Sequence, residues 1–270
     1  MSMISVVLAT HNEAKNLPKC LASVKDWVDE IIVVDGESAD ETVSLAEKLG
    51  ARVISTTNKA NFHINKQLAM DAAKSEIVLQ LDADEIVDAD LKAAIINLAS
   101  QLKVQNFKPT PGQPVAWWLK RKNFLLNTWL SKGGQYPDPV IRLYLNGYAK
   151  LPQKDVHEQM SVDGPTATLN GHLLHYSNPS FSDYLRKFNT YTSFKAQQLA
   201  DAKTPLSLKN HWRFFIWLPL TTFLSLYLRH RGYVDGLAGF VFASWSGLHH
   251  SLAYLKLWEI YELAKLAQKT

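Results

Sequence analysis

The chain has 270 residues, of which 47% are hydrophobic and 20% charged; that is enough apolar material for one large domain, or one domain with an appended element, and it excludes a disordered chain. A single cysteine, Cys20, excludes an intrachain disulfide framework and a cysteine zinc cluster and fits a reducing, cytosolic compartment. The formal charge of +4 hides an asymmetry: residues 1–100 carry 9 Lys/Arg against 16 Asp/Glu, and residues 101–270 carry 20 against 9, so the halves face different partners.

The first hundred residues alternate apolar runs with amphipathic stretches. Ile4 to Ala9, Ile31 to Val34, Arg52 to Ser55 and Ile77 to Leu81 are predicted as buried strands. The first run turns at once into Thr10-His11-Asn12-Glu13 with no basic segment before it, and so reads as a strand rather than a signal peptide. Between the strands, Leu17 to Trp27, Asp40 to Leu49 and Asn61 to Ala73 have helical spacing. Pro18 suits a first helical turn, and Asn61 is expected as an N-cap. This βαβαβαβ order predicts a parallel sheet covered by helices on both faces, with a ligand crevice beyond the carboxyl ends of its strands.

Val104 to Pro114, with three prolines and a glycine, is predicted as a separating loop. Beyond it Val115 to Lys120, Val140 to Leu145 and Thr168 to His175 are strand candidates, and from Ser180 onward the pattern is helical. Phe214 to Leu228 is nearly all apolar between Arg213 and Arg229-His230-Arg231. It is too short for the roughly 20 residues of a spanning helix, and Pro219 interrupts it. Aromatic residues beside basic ones suit a helix lying in an anionic membrane surface, with Phe240 to Trp258 as a second such stretch. A buried core helix or an oligomer contact is the plainer reading. Basic surface also suits nucleic acid, but no nucleic-acid motif is present.

Polar clusters fall at the ends of the early strands: Thr10 to Glu13, Asp35-Gly36-Glu37-Ser38, Asn65-Lys66-Gln67 before the fourth strand, and Asp82-Ala83-Asp84-Glu85 after it. Where a strand gives way to a loop, two carboxylates two residues apart can point the same way and share one hard cation, Mg²⁺ or Mn²⁺. An ordinary acidic turn has the same pattern. With no Gly-x-Gly-x-x-Gly and no Walker lysine loop, phosphate has to be held by a metal at Asp82 and Asp84, by Lys66 or by Arg142, while Asp35 can accept from a ribose or base. His157 and His175 are further candidates for the metal or the phosphates, His175 the better placed of the two at a strand end. Trp117, Trp118 and Trp129 are read as sugar-stacking or core residues, and Lys120-Arg121-Lys122 as a solvated face or an acceptor-attracting patch.

The segments Ile4 to Glu13, Ile31 to Ser38 and Leu81 to Glu85 resemble the family 2 glycosyltransferases of the GT-A fold. The resemblance continues through Val140-Ile-Arg-Leu-Tyr144 and Val156-His-Glu158 toward the bacterial lipopolysaccharide-core β-1,4-glucosyltransferase subgroup. It implies an α/β GT-A (nucleotide-diphospho-sugar transferase) fold, a mostly parallel sheet sandwiched by helices. The catalytic domain would span 1–178, with a nucleotide-binding half at 1–103 and an acceptor-side half at 115–178. A helical, membrane-associating extension would follow at 179–270. The resemblance further implies that Thr10, Asn12 and Glu13 line the nucleotide pocket, that Asp35 holds the base or ribose, and that Asp82 lies by the donor. Asp84 would bind the metal bridging the two phosphates.

The resemblance also implies inversion at the anomeric carbon, which needs a general base, for which Glu158 is the candidate and Asp155 and Asp138 the rivals. His157-Glu158 is not part of a zincin helix, because Ser161 stands where the second histidine would be. The expected reaction transfers a hexose, glucose from UDP-glucose, to a lipid-linked or lipopolysaccharide saccharide on the cytoplasmic face of the inner membrane. A sugar nucleotidyltransferase and a non-catalytic membrane-attached module are the alternatives. The first usually begins with a glycine-rich phosphate loop where this chain has Thr10 to Glu13.

Overall fold

The computed structural model describes residues 3–59, 61–104, 106, 108–152 and 159–267. Two compact units divide the chain: Met1–Lys122 with Asp138–His175, and Asn123–Pro137 with Tyr176–Thr270.

The first unit opens with β1 (Ile4–Thr10), α1 (Leu17–Ala22), β2 (Glu30–Gly36), α2 (Thr42–Lys48), β3 (Arg52–Thr56), α3 (His63–Asp71) and β4 (Ile77–Gln80). β5 (Glu85–Val87) and the long α4 (Ala89–Val104) follow. The sheet is completed by β6 (Ala116–Leu125), β8 (Asp138–Leu145) and β11 (Thr166–Asn178); β7 (Thr128–Trp129) pairs with the far end of β6, and β9 (Ala149–Lys150) pairs with β10 (Ser161–Val162). Strand order is β3-β2-β1-β4-β8-β6-β11-β5. β3, β2, β1 and β4 run parallel, whereas β8 is antiparallel to β4 and β6 to β8. The parallel strands sit side by side because α1, α2 and α3 join each to the next and return the chain to the starting edge.

Period-two alternation divides these strands between two cores. Val6, Leu8, Ile31, Val33 and Leu79 pack with Leu17 and Leu21 of α1, Ala46 of α2, and Leu91 and Ile95 of α4. Their neighbours Val7, Ile32, Val34 and Val78 pack with Ala69 and Met70 of α3. Both faces are covered, which is why the strands read as continuous apolar runs. Pro18 does lie in the first turn of α1. Asn61 sits one residue outside the expected position: Phe62 occupies the cap of α3, and Asn61 Oδ1 accepts the His63 N–H at 3.0 Å.

β11 crosses the start of α4 closely. At Gly171, with φ +92°, a Cβ would lie 2.1 Å from the Leu91 nitrogen. Asp88 ties the same junction: its Oδ1 accepts the N–H groups of Leu91 at 2.8 Å and His172 at 3.0 Å.

In the second unit, α5 (Phe181–Asp201) starts at Ser180, whose hydroxyl accepts the Asp183 N–H at 3.0 Å. α6 (Leu208–Trp212) and α7 (Leu218–Leu224) belong to one continuous helical stretch in which π turns cover Arg213–Trp217 and Ser225–Arg229. α8 (Gly236–Ala267) packs on α5 and α7. Its small residues allow close approach, and a Cβ at Gly247 would lie 2.6 Å from the Pro219 carbonyl oxygen. Residues 131–132 of the Asn123–Pro137 segment are held by Asp235, which accepts from the Ser131 N–H at 3.1 Å, the Ser131 hydroxyl at 2.6 Å and the Lys132 N–H at 2.9 Å. Among the described residues no helix is long and apolar enough to cross a membrane.

Candidate active site

The loops after β1 and β2 interlock. Asp35, buried at the end of β2, accepts the Thr10 hydroxyl at 3.1 Å, the Ser38 N–H at 2.9 Å and the Ser38 hydroxyl at 2.6 Å. Asn12 takes a left-handed backbone conformation, φ +56°. Its N–H donates to Ser38 Oγ at 2.8 Å and its side-chain oxygen accepts the Ala39 N–H at 2.8 Å. The His11 Nδ1–H donates to the Gly36 carbonyl at 2.6 Å. Glu13, in the turn before α1, donates its N–H to Thr42 Oγ1 and accepts from Asn16 Nδ2, both at 2.8 Å. Thr10, Asn12, Glu13 and Asp35 are thus brought together at the carboxyl ends of adjacent strands.

β4 delivers the acidic turn beside them. The Asp82 N–H donates to Glu85 Oε2 at 2.9 Å, and the Glu85 N–H donates back to the Asp82 carbonyl at 3.0 Å. This fixes the Asp82-Ala83-Asp84 backbone. Asp82 itself is gripped by two cations, Lys66 of α3 and Arg142 of β8, the latter at 2.6 Å. Burial opposes its ionisation, yet the charges of Arg142 and Lys66 hold it well below the usual carboxylate range. Burial pulls the Lys66 ammonium below its ordinary value against the attraction of Asp82. Arg142 is held cationic by Asp82 and Glu85 in spite of its burial, and the Gln80 side chain also accepts from it.

The charges continue beyond this triad. Arg142 Nη2 lies 3.4 Å from Glu85 Oε1, Arg121 Nη1 lies 3.6 Å from the same oxygen, and Arg121 donates to Asp138 Oδ2 from Nε at 3.0 Å and Nη2 at 2.7 Å. Lys66, Asp82, Arg142, Glu85, Arg121 and Asp138 form a line of alternating sign. Glu85, fully buried, has a cation on either side of it in this line, which offsets the cost of placing a carboxylate there.

On the other side of the turn, Asp84 Oδ1 lies 3.6 Å from His175 Nε2 at the end of β11. A hard carboxylate oxygen and an imidazole nitrogen at that separation can share one cation, and Mg²⁺ or Mn²⁺ bound by so few protein groups completes its shell with phosphate and water. Among the described residues no cluster of three His, Cys, Asp or Glu side chains forms an all-protein metal cage. The Cys20 thiol donates to the Asp82 carbonyl at 3.5 Å. Burial first, then the nearby Glu85 charge, pushes it well up, so it stays a neutral packing group.

Two readings of the sequence need correction. Arg121 does not belong to a solvated face: it turns inward onto Glu85 and Asp138, since alternation from Trp117 and Leu119 puts it on the core side of β6. Glu85, fully buried, was not singled out as a site residue, and its place in the reciprocal turn with Asp82 is the signal that marks it. Asp138 Oδ2 accepts both hydrogen bonds from Arg121. Trp117 lies in the core, and Trp129 is partly exposed. Asp155, His157 and Glu158 lie outside the described residues.

A parallel sheet with carboxylates at successive strand ends, continued by antiparallel strands that carry their counter-charges, defines a glycosyltransferase of the GT-A fold. The family model "Glycosyl transferase family 2" matches residues 5–150, more than half of the sequence, and the chain belongs to that family. It is 30% identical over 256 residues to "Uncharacterized glycosyltransferase RP128" of Rickettsia prowazekii, covering 89% of this chain and 82% of the relative. It is 26% identical over 277 residues to "Lipopolysaccharide core biosynthesis glycosyltransferase LpsC" of Rhizobium meliloti, covering 96% of this chain and 93% of the relative. Among solved structures, S. aureus TarS is similar at 15% identity with a TM-score of 0.48, over 92% of this chain and 55% of that one.

Proposed function

We propose that the protein is an inverting, divalent-metal-dependent hexosyltransferase that moves glucose from UDP-glucose to a membrane-associated saccharide, such as the inner core of lipopolysaccharide. The observation that carries this reading is the placing of Asp35 and the Asp82-Ala83-Asp84 turn at the carboxyl ends of parallel strands, with Asp84 Oδ1 3.6 Å from His175 Nε2. The name of the LpsC relative supports a saccharide acceptor of that class.

In this reading Thr10, Asn12 and Glu13 border the nucleotide and Asp35 accepts from its ribose or base. Asp84 and His175 hold Mg²⁺ or Mn²⁺, which when bound neutralises the leaving diphosphate. Asp82 is fixed beside the donor by Lys66 and Arg142, and these cations add positive charge where the diphosphate lies. The acceptor hydroxyl attacks the anomeric carbon from the face opposite the nucleotide. The bond to the diphosphate oxygen breaks, and the hydroxyl proton passes to Glu158. The protein works peripherally at the cytoplasmic face of the inner membrane, with its catalytic domain at 1–178 and its membrane-associating region at 179–270.

The test is a panel of nucleotide sugars offered with Mn²⁺ or Mg²⁺, read by thermal shift and by release of nucleoside diphosphate. UDP-glucose should give the largest response in both. Absence of diphosphate release from every donor would overturn the proposal. Pyrophosphate release from a nucleoside triphosphate and a sugar phosphate would replace it with nucleotidyl transfer.

A further inference from the structure

Leu208, Trp212, Ile216, Leu220, Leu224 and Leu228 recur at every fourth position along the helical stretch of the second unit, and all six are exposed, between 40% and 86%. In an α-helix such a row winds round the axis by about 40° per step, because 3.6 residues complete a turn. Here the π turns at Arg213–Trp217 and Ser225–Arg229 alternate with α-helical turns. A π turn has more residues per turn and winds a period-four row the other way, so the mixture keeps these six side chains on one line.

The row two positions on faces the opposite way and is packed. Phe214 is buried against Tyr254 and Leu257 of α8, Leu218 joins that cluster, and Thr222 Oγ1 lies 3.1 Å from His250 Nε2 of α8. The six-residue line is therefore the outer face, where a water-facing helix carries polar residues.

Charge identifies what covers it. Between Asp201 and Asp235 the sequence has no acidic residue and five basic ones, Lys203, Lys209, Arg213, Arg229 and Arg231. Lys209, Arg213 and Arg229 stand one position beyond members of the apolar line, at its two ends, with exposed Trp217 in the same flanking row between them. An apolar strip with cations at both ends and an aromatic at its margin matches an anionic bilayer surface, where acyl chains take the strip and headgroups take the cations.

We infer that the outer face of residues 208–229 is a lipid-binding surface that lies flat in the interface of an anionic membrane. The inference deepens the membrane-side reading above by naming the surface, and it needs no particular sugar donor.

The test is co-sedimentation of the full chain with vesicles of phosphatidylcholine alone or mixed equally with phosphatidylglycerol, at low and high salt. Three variants accompany it: Trp212→Gln with Ile216→Gln and Leu220→Gln, Arg213→Gln with Arg229→Gln, and Lys48→Gln, an exposed lysine of the first unit, as a control for basic charge elsewhere. Wild type and the control should bind the anionic vesicles and lose binding at high salt. The apolar-line and arginine variants should each bind at least about tenfold more weakly. Release of nucleoside diphosphate in vesicle-free solution should be the same in all forms, so loss of transfer chemistry and loss of membrane binding are read separately. Equal vesicle binding by wild type and the apolar-line variant overturns the inference. So does a dimer in sedimentation velocity that the apolar-line variant dissolves while wild type ignores vesicles.

Discussion

Asp82 and Glu85 exchange backbone-anchored hydrogen bonds: the Asp82 N–H reaches Glu85 Oε2 at 2.9 Å, and the Glu85 N–H reaches the Asp82 carbonyl at 3.0 Å. A fully buried carboxylate thereby sets the backbone that carries Asp84, while its other oxygen neutralises Arg142 and Arg121.

Glu85→Gln keeps the shape and an acceptor for the Asp82 N–H but leaves two arginines with one carboxylate fewer. Removing one member of a buried ionic network costs about 3 kcal/mol. Urea unfolding should register a loss of that order. A loss below about 0.5 kcal/mol, the range of an exposed pair, would show that Glu85 is not part of the network.

Asp35→Asn removes the charge that receives the Thr10 and Ser38 donors. Hydrogen bonds to a charged group are worth about 1.5–3 kcal/mol, so if Asp35 also receives the nucleotide, the donor KM should rise by about tenfold or more. kcat should change much less. Steady-state kinetics at varied UDP-glucose reads the split, and an unchanged KM would remove Asp35 from the donor site.

How much of this was legible from the residues differs by element. β1, β2 and β4 were legible because strands buried on both faces are apolar throughout and end at polar clusters, whereas β3, the partly exposed edge strand, was legible only from its short Val53-Ile54 core after α2. β5 was not: Glu85–Val87 is three residues long, and its strand character comes only from pairing with β11, where Glu85 faces His175. The acidic turn was legible from the Asp82–Asp84 spacing, but its cations were only partly so. Lys66 and Arg142 were expected near phosphate, and the geometry places both on Asp82, a contact from α3 and β8 that no local pattern encodes. The packing of Asn123–Pro137 with the helical unit rests on Asp235, about a hundred residues away in sequence.

Gly171→Ala puts a methyl group on the Leu91 nitrogen and asks alanine to hold φ +92°. Backbone strain and overpacking together should cost about 2–4 kcal/mol. Thermal unfolding of the purified variant checks this, and an unchanged Tm would mean that β11 does not approach α4 so closely.

Acid should weaken the fold early. At Asp88 burial opposes ionisation, but the N–H groups of His172 and Leu91 and the His172 ring outweigh it and lower its pKa; at Asp82 the Arg142 and Lys66 charges do the same. A depressed folded-state pKa gives stability that is present above the unfolded-chain value, about 3.9 for Asp, and is lost as pH falls through the lower folded value. Urea midpoints should therefore fall as pH drops from about 5 into that range. Asp88→Asn should flatten the fall, and an equally steep profile in the variant would assign the effect to other carboxylates.

The most direct test of the account is calorimetric titration of UDP into the protein with and without Mn²⁺, repeated with Asp84→Asn. The account predicts tight binding to the wild type only when Mn²⁺ is present, and loss of that metal-dependent increment in the variant. Binding of equal strength with and without metal, or an increment that survives in Asp84→Asn, would contradict it.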